Sequence, residues 1–184
     1  MKEILLFCNV ERQGQMLRKA WKMAEMPEEI SSGVHLFDSA SALTPEMRRA
    51  VSDAAAVFVF WQGSIYATDM TEALRKVREK TGAPFAFLCS ASEEGAYHQG
   101  ITEKQRDTVR QYLQYGGIKN YRSLWRYIAH ELLGAAVTAD APAPLPWSGI
   151  YDPGTEQVFD SLAAYQAYRP RGEGENAVGL LFSR

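Results

Sequence analysis

The stretch AAVFVF, Ala55–Phe60, decides the fold class of this 184-residue chain. It is apolar at every position, and four of its six residues are β-branched or aromatic. A strand with one face in water alternates apolar and polar residues, whereas a strand covered on both faces is apolar throughout. The stretch therefore predicts a central strand, with helices on both sides of its sheet.

Other strands and amphipathic helices alternate around this stretch. Three more apolar runs have the length of strands: Glu3–Val10, Gly33–Phe37 and Pro84–Cys89. Three segments between the runs carry apolar residues at helical spacing: Gly14–Met26, Thr44–Ala54 and Asp69–Lys80. Such alternation is typical of βαβ units with right-handed crossovers. We therefore predict an α/β domain with a three-layer, flavodoxin-like parallel sheet of about four strands.

From Ile101 onward the helical period continues without strands. A helix is predicted over residues 102–115, and Gly116 follows where a left-handed residue closes a helix at little steric cost. Asn120 is predicted to cap a second helix. The pattern indicates a helix–Gly-Gly–helix hairpin that completes a first domain over residues 1–134.

The last third of the chain differs in composition. Residues 135–150 are rich in proline and alanine and are predicted to be a linker. A short helix is expected within Val158–Tyr168, and the apolar run AVGLLF, Ala177–Phe182, is predicted to be a strand. Residues 151–184 are expected to begin a following domain that is truncated in this sequence. We expect the Ala177–Phe182 strand to dock or pair, because exposed apolar strands bind other chains.

Composition excludes several classes of protein. Apolar residues make up 46% of the chain and the formal net charge is −2, which is typical of globular proteins. Basic residues are scattered among acidic ones, so no nucleic-acid partner is expected. No stretch approaches the ~20 apolar residues that cross a bilayer, so no membrane span is expected. Cys8 and Cys89 lie in apolar runs, which fits a reducing, cytoplasmic setting.

Ligands of parallel α/β sheets bind beyond the carboxyl ends of the strands. Seven residues at three such ends are candidate ligand-binding residues: Asn9, Glu11, Trp61, Gln62, Gly63, Ser64 and Ser90. Trp61 offers a flat surface to a planar ligand, and Gly63 permits close approach. The competing interpretation is that Trp61 only covers the core and that Gly63 and Ser64 only begin a loop.

Sequence motifs for nucleotides, metals and nucleophiles are missing. The chain contains no G-x-x-x-x-G-K-[ST] loop and no G-x-G-x-x-G after its first strand. His35, His98, Cys8 and Cys89 are possible metal ligands, yet no two have the spacing of a zinc motif. We therefore predict no metal site and no cofactor in this chain, and no catalysis by this chain alone.

Four segments of the second half follow the order and spacing of a known family. They are YLQYGGIKNYRSLWRYIAHELLG (Tyr112–Gly134), PLPWSGIYDP, YQAYRP and AVGLLFSR. The series resembles the amino-terminal region of the large subunit of cobaltochelatase and of the related magnesium-chelatase H subunits. The motif residues in this sequence are Gly116, Gly117, Asn120, Gly149, Ile150 and Tyr151. The chain departs from the family pattern at Asp152, where a histidine is usual, and at Ser123, where an asparagine is usual.

The resemblance implies ATP-driven insertion of a divalent metal, cobalt or magnesium, into a tetrapyrrole. In such a complex the large subunit holds the macrocycle and separate AAA+ motor subunits hydrolyse ATP. The expected partners of this chain are the remainder of the large subunit and the motor subunits. The alternative is a stand-alone flavodoxin-like enzyme or small-ligand-binding protein that uses the strand ends named above.

Overall fold

The structure is a computed structural model that describes residues 1–38, 41–63, 69–91, 96–144, 149–152 and 157–169. Strands and helices alternate along its first half, as the sequence predicts. The strands are β1 (Lys2–Cys8), β2 (Ile30–Leu36), β3 (Ala56–Trp61), β4 (Phe85–Cys89), β5 (Tyr97–Gln99), β6 (Ile150–Asp152) and β7 (Gln157–Phe159). The helices are α1 (Glu11–Lys22), α2 (Pro45–Asp53), α3 (Asp69–Glu79), α4 (Glu103–Tyr115), α5 (Gly117–Leu133) and α6 (Leu162–Tyr168).

Five strands form the main sheet, in the spatial order β2-β1-β3-β4-β5. The first four strands of the chain are parallel, while β5 pairs antiparallel with β4. The stretch that predicts a central strand forms β3, which lies in the middle of the sheet and is buried from Ala56 to Phe60. The α/β class is confirmed, and the parallel strands have the order of a flavodoxin-like half.

Sequence prediction misses β5, because this strand has only three residues and is only half-buried. Its register comes from pairing with Phe85–Phe87 of β4. The side chain of Gln99 donates to the carbonyl oxygens of Arg78 and Ala83, at 2.7 and 3.1 Å. Tertiary contacts, rather than a local period, therefore create this edge strand.

Helices cover both faces of the main sheet. On one face, Leu6 and Phe58 belong to a core that α1, α4 and α5 complete. On the other face, Phe7 and Val59 belong to a core with α2 and α3. Successive residues of a strand point to opposite faces, so the uninterrupted apolar run of β3 contributes to both cores. This is the predicted three-layer arrangement.

α4 and α5 form the predicted helix–Gly-Gly–helix hairpin. Thr102 caps α4 through a capping box with Gln105. Gly116 joins the helices at φ +65° and ψ −166°, a conformation essentially restricted to glycine. The prediction that Asn120 caps α5 is wrong, because α5 begins at Gly117 and Asn120 is buried inside it. The Asn120 side chain instead donates to the Gly116 carbonyl oxygen at 2.8 Å.

Replacing Gly116 by alanine is expected to lower the free energy of unfolding by about 3 kcal/mol, because a Cβ is strained at this φ and ψ. Gly134 ends α5 at φ +72° and ψ +24° and provides the matched control. An added Cβ at Gly134 meets nothing within 4 Å, so Gly134→Ala should cost only about 1 kcal/mol for its left-handed backbone. Urea unfolding measures both costs. Equal costs would show that Gly116 is not the more constrained glycine.

The chain divides into two compact units, Met1–Ala143 and Pro144–Arg184. In the second unit, β6 and β7 pair antiparallel and α6 follows. The helix predicted within Val158–Tyr168 is therefore shorter than expected, because β7 includes the first residues of that segment. Gly149 precedes β6, where an added Cβ would lie 2.6 Å from Val158 Cγ1, so only glycine permits this close approach of the two strands.

The boundary between the units falls inside the segment predicted to be a linker, residues 135–150. Residues 135–143 belong to the first unit, while the start of a following domain at residue 151 stays a prediction. The predicted strand Ala177–Phe182 lies outside the described residues. Within the described ranges, no helix is both long enough and apolar enough to cross a membrane.

Candidate functional site

The carboxyl ends of β1, β3 and β4 meet at one edge of the main sheet. β2 and β3 lie on opposite sides of β1, so the winding of the chain reverses between β1 and β3. The crevice at such a switch point is where α/β sheets bind ligands. The residues that directly follow these strands, Asn9, Gln62, Gly63 and Ser90, are called the strand-end cluster below.

Asn9 and Gln62 bridge the crevice between β1 and β3. The Gln62 backbone N–H donates to Asn9 Oδ1 at 2.8 Å, and Asn9 Nδ2 donates to the Gln62 carbonyl oxygen at 3.0 Å. The two bonds continue the β1–β3 ladder beyond its last paired residues, Cys8 and Phe60. The Asn9 amide is therefore engaged with the neighbouring strand.

Gly63 and Ser90 join the ends of β3 and β4 in a similar way. The Gly63 N–H donates to Ser90 Oγ at 3.1 Å, and the Ser90 N–H donates to the Trp61 carbonyl oxygen at 3.0 Å. Gly63 has φ +126°, which residues with a Cβ rarely adopt. Gln114 of α4 donates to the Ser90 carbonyl oxygen at 3.0 Å. Hydrogen bonds within the chain thus tie the cluster to three strands and one helix.

Trp61 is half-buried beside the cluster, on the face covered by α2 and α3. The centroid of its ring lies 5.3 Å from that of Phe37. Phe37 meets Phe7 edge-on with centroids 6.4 Å apart, and Phe7 stacks on His35 at 5.0 Å. The four rings form a row across β2, β1 and β3, with Trp61 at one end. Part of the indole therefore packs on Phe37, and the Trp61 side chain is only partly buried.

The other candidates are less closely connected to the cluster. Glu11 is exposed in the first turn of α1 and accepts a hydrogen bond from Gln15 Nε2 at 3.1 Å. Ser64 lies outside the described residues. Sequence reasoning misses Gln114, because this residue reaches the cluster from 24 positions beyond Ser90 and has no local signal of that contact.

The possible metal ligands are dispersed over the first unit. Burial raises the pKa of the Cys8 thiol to about 11, so this thiol is protonated at neutral pH and is a poor ligand and nucleophile. Burial lowers the pKa of His35, which favours the neutral ring. Cys89 is buried and donates to the Gly63 carbonyl oxygen, while His98 lies in β5. Among the residues that the structure describes, no three His, Cys, Asp or Glu side chains are placed to hold a metal ion.

Replacing Asn9 by alanine should loosen the strand-end cluster between β1 and β3. Both backbone groups of Gln62 lose their partner, and we expect the Gln62 amide to exchange with solvent roughly fivefold to tenfold faster, since one hydrogen bond contributes about 1 kcal/mol. Asn9→Asp is the matched control, because its carboxylate still accepts from the Gln62 N–H. Hydrogen exchange by NMR measures both variants. Equal acceleration in the two would contradict the role assigned to Asn9 Oδ1.

Comparison with known proteins finds a family similarity in the carboxyl-terminal part of the chain. Residues 110–184 match the family model described as CobN/Magnesium Chelatase. This segment is therefore similar to the CobN/magnesium chelatase family. The resemblance that the sequence motifs indicate is thereby confirmed, and the matched segment begins inside α4 and includes the glycine pair and Asn120.

The fold of the chain also resembles a solved chelatase subunit. It aligns with the catalytic subunit of cobaltochelatase from Mycobacterium tuberculosis with a TM-score of 0.54 over 82% of the chain, at 14% sequence identity. An uncharacterized protein of Methanocaldococcus jannaschii is 32% identical over 87 residues, which is 46% of the chain. This chain spans 7% of the length of that relative and 12% of the solved subunit.

In the first unit, the motif residues that carry the resemblance have structural roles. Gly116 and Gly117 have φ of +65° and +81° and form the corner between α4 and α5. Asn120 binds both this corner and the backbone of Ala143. The spacing between the glycine pair and Asn120 places the amide one helical turn beyond the Gly116 carbonyl that it contacts.

In the second unit, the Gly149–Ile150–Tyr151 motif begins the β6–β7 hairpin. Asp152, a position where the resemblance leads us to expect a histidine, is only 2% exposed. Its carboxylate oxygen Oδ2 lies 3.7 Å from Nη1 of Arg169, the residue after α6. The pair links the end of β6 to the end of α6, so the carboxylate fits this hairpin as a buried acidic partner of arginine.

Proposed function

We propose that this chain is the amino-terminal part of a cobaltochelatase-type large subunit, where it helps to bind the tetrapyrrole substrate or partner subunits. The substrates of the whole complex are a tetrapyrrole and a divalent metal, cobalt or magnesium. AAA+ motor subunits hydrolyse the ATP that drives metal insertion. This chain contributes a binding surface rather than reacting groups.

The match of residues 110–184 to the CobN/magnesium chelatase family carries this proposal. The fold likeness to a cobaltochelatase catalytic subunit supports it for the α/β unit. The absence of a phosphate-binding loop from the sequence agrees with ATP hydrolysis on a separate subunit. The proposed substrate and partners are inferred from this family similarity.

The strand-end cluster and Trp61 form the face that we assign to this binding. The Asn9 amide and the Ser90 hydroxyl are engaged within the chain, whereas a small-ligand pocket directs such groups at its ligand. A rigid face beside a partly exposed tryptophan is better suited to contact with a large planar molecule or with another protein.

Fluorescence titration tests the substrate part of the proposal, with a porphyrin and a corrinoid precursor as probes. We expect either macrocycle to quench tryptophan emission and to bind roughly threefold to tenfold more weakly to Trp61→Phe, because an aromatic contact contributes about 0.5–1.5 kcal/mol. Trp21→Phe is the matched control, since Trp21 packs on Trp125 on the other side of the sheet. Equal affinity of the Trp61→Phe and Trp21→Phe variants for the macrocycle would show that Trp61 does not contact it.

Co-sedimentation with the AAA+ motor subunits and ATP tests the partner part of the proposal. We expect a complex that Trp61→Phe or Asn9→Ala weakens and Trp21→Phe leaves unchanged. The remaining domains of a cobaltochelatase large subunit are tested in the same assay. The proposed function would be overturned if the chain bound none of these proteins and neither macrocycle.

A second candidate is a stand-alone flavodoxin-like enzyme or small-ligand-binding protein. The strand order β2-β1-β3-β4 favours it, because this order places a switch point between β1 and β3. Native mass spectrometry of the purified protein discriminates between the two candidates. A co-purified nucleotide or flavin would support the second candidate, and a colourless protein free of nucleotide would count against it.

A further inference from the structure

Residues 138–143 of the proline- and alanine-rich segment, TADAPA, lie against the α4–α5 hairpin. Arg126 Nε donates to the Thr138 carbonyl oxygen, and the Tyr112 hydroxyl donates to that of Asp140. Asn120 Nδ2 donates to the Ala143 carbonyl oxygen at 2.8 Å, and Asn120 Oδ1 accepts from the Ala143 N–H at 3.0 Å. Tyr112, Asn120 and Arg126 are called the clasp below.

Each clasp side chain is held in place by a second contact on the body of the first unit. The Tyr112 ring lies 5.7 Å from that of Tyr127, and burial raises the pKa of Tyr112 to about 12, so its hydroxyl remains a donor at neutral pH. Asn120 also donates to the Gly116 carbonyl oxygen, and Arg126 Nη1 donates to that of Ala24 at 3.1 Å. Side chains fixed in this way lose little further freedom when they bind a peptide.

The segment itself is suited to such recognition. Pro142 and Pro144 flank Ala143, and proline fixes φ and favours an extended conformation in the residue before it. Proline has no N–H, so Ala143 carries the only N–H among these three residues. Asn120 binds both backbone groups of that residue. The clasp therefore binds backbone groups of an extended chain. The prolines fix its register, because only the residue between them offers an N–H to Asn120.

We propose that the α4–α5 hairpin is a docking site for an extended, proline-containing peptide, and that residues 138–143 of this chain are its occupant. The clasp fixes the point at which the chain leaves the first unit. It also accounts for the combination of a glycine pair, Asn120 and a proline-rich segment in this chain, since the Gly116 carbonyl orients the amide that binds Ala143. This inference is independent of macrocycle or motor-subunit binding.

Two variants of the full chain test the docking site from its two sides. Asn120→Ala removes the amide, and we expect the Ala143 amide to exchange roughly tenfold faster. Ala143→Pro removes the N–H that Asn120 accepts but keeps an extended backbone. Ala141→Pro is its matched control, because the Ala141 N–H makes no hydrogen bond within the described part of the chain.

Cleavage by a protease specific for small residues reports docking of the segment in every variant. We expect cleavage after Ala135, Ala136 or Ala139 to be roughly tenfold faster in Asn120→Ala and in Ala143→Pro, and unchanged in Ala141→Pro. The double variant should be cleaved no faster than Asn120→Ala alone, because Asn120→Ala already removes the hydrogen bond that Ala143→Pro removes. Equal cleavage of the two proline variants, additive effects in the double variant, or free-peptide exchange of the wild-type Ala143 amide would each overturn the proposal. Ala143→Pro keeps the test decisive if Asn120→Ala does not fold.

Discussion

Replacing Arg78 by methionine is expected to destabilise the first unit by about 3–5 kcal/mol. Arg78 of α3 is fully buried, and Nη1 donates to the carbonyl oxygens of Val51 and Ala54 at 2.8 Å each, while Nη2 donates to that of Pro84 at 3.0 Å. Methionine fills most of the volume but removes all three hydrogen bonds, and each such loss costs about 1 kcal/mol or more. The Pro84 carbonyl oxygen keeps the Val57 N–H as a donor, at 3.0 Å.

The partners of Arg78 explain how a buried cation is tolerated. Val51 and Ala54 lie at the carboxyl end of α2, where the free carbonyl groups and the helix dipole are negative. Burial lowers the pKa of Arg78 to about 10, so the guanidinium still carries its charge at neutral pH. The side chain thus joins the end of α2 to the residue before β4, and its loss should separate α2 from the sheet.

Urea unfolding followed by circular dichroism measures this effect, and Arg75→Met on the same helix is the control. Arg75 is partly exposed and pairs with Glu72 and Glu79, so its loss should cost less than about 1 kcal/mol. Arg78→Lys keeps the charge but cannot span all three carbonyl groups, and an intermediate cost is expected. An Arg78→Met protein as stable as Arg75→Met would refute the assignment of Arg78 as a structural clamp.

Replacing Trp125 by alanine is expected to lower the free energy of unfolding by about 3–5 kcal/mol, which is the usual cost of replacing a large buried aromatic residue by alanine. Trp125 of α5 is fully buried, and its Nε1 donates to the Leu17 carbonyl oxygen of α1 at 3.0 Å. Its ring meets Trp21 edge-on with centroids 5.3 Å apart. Trp125 therefore joins the α4–α5 hairpin to the α/β body, and we expect its loss to release the hairpin first.

Hydrogen exchange of the α5 amides, together with urea unfolding, measures the effect of Trp125→Ala. Trp125→Phe keeps most of the ring volume and loses the hydrogen bond, so a cost of about 1–2 kcal/mol is expected. Trp21→Ala removes the half-buried partner and should cost less than Trp125→Ala. The reverse order of the two alanine variants would show that another contact holds the hairpin to α1.

The candidate site could be predicted in part from the sequence. Parallel strands bring their carboxyl ends to one edge, so Asn9, Gln62, Gly63 and Ser90 could be expected to lie together once the strands were located. Their hydrogen bonds to one another could not be predicted, because Asn9 and Gln62 are 53 residues apart and Gly63 and Ser90 are 27 apart. Their role in ligand or partner binding stays a prediction that the variants above test.

Local physical chemistry let the sequence alone determine the α/β class and the glycine corner. Gly116 has the positive φ that its place after a helix predicts. Residue type alone did not determine the helix caps, because Thr44 caps α2 whereas Asn120 does not cap α5. Only the tertiary structure decided the order of the strands, the edge strand β5 and the burial of Asn120 inside α5. Each depends on a partner far along the chain, such as Phe85–Phe87 for β5 and Ala143 for Asn120, and a local pattern carries no information about a partner that only folding brings near.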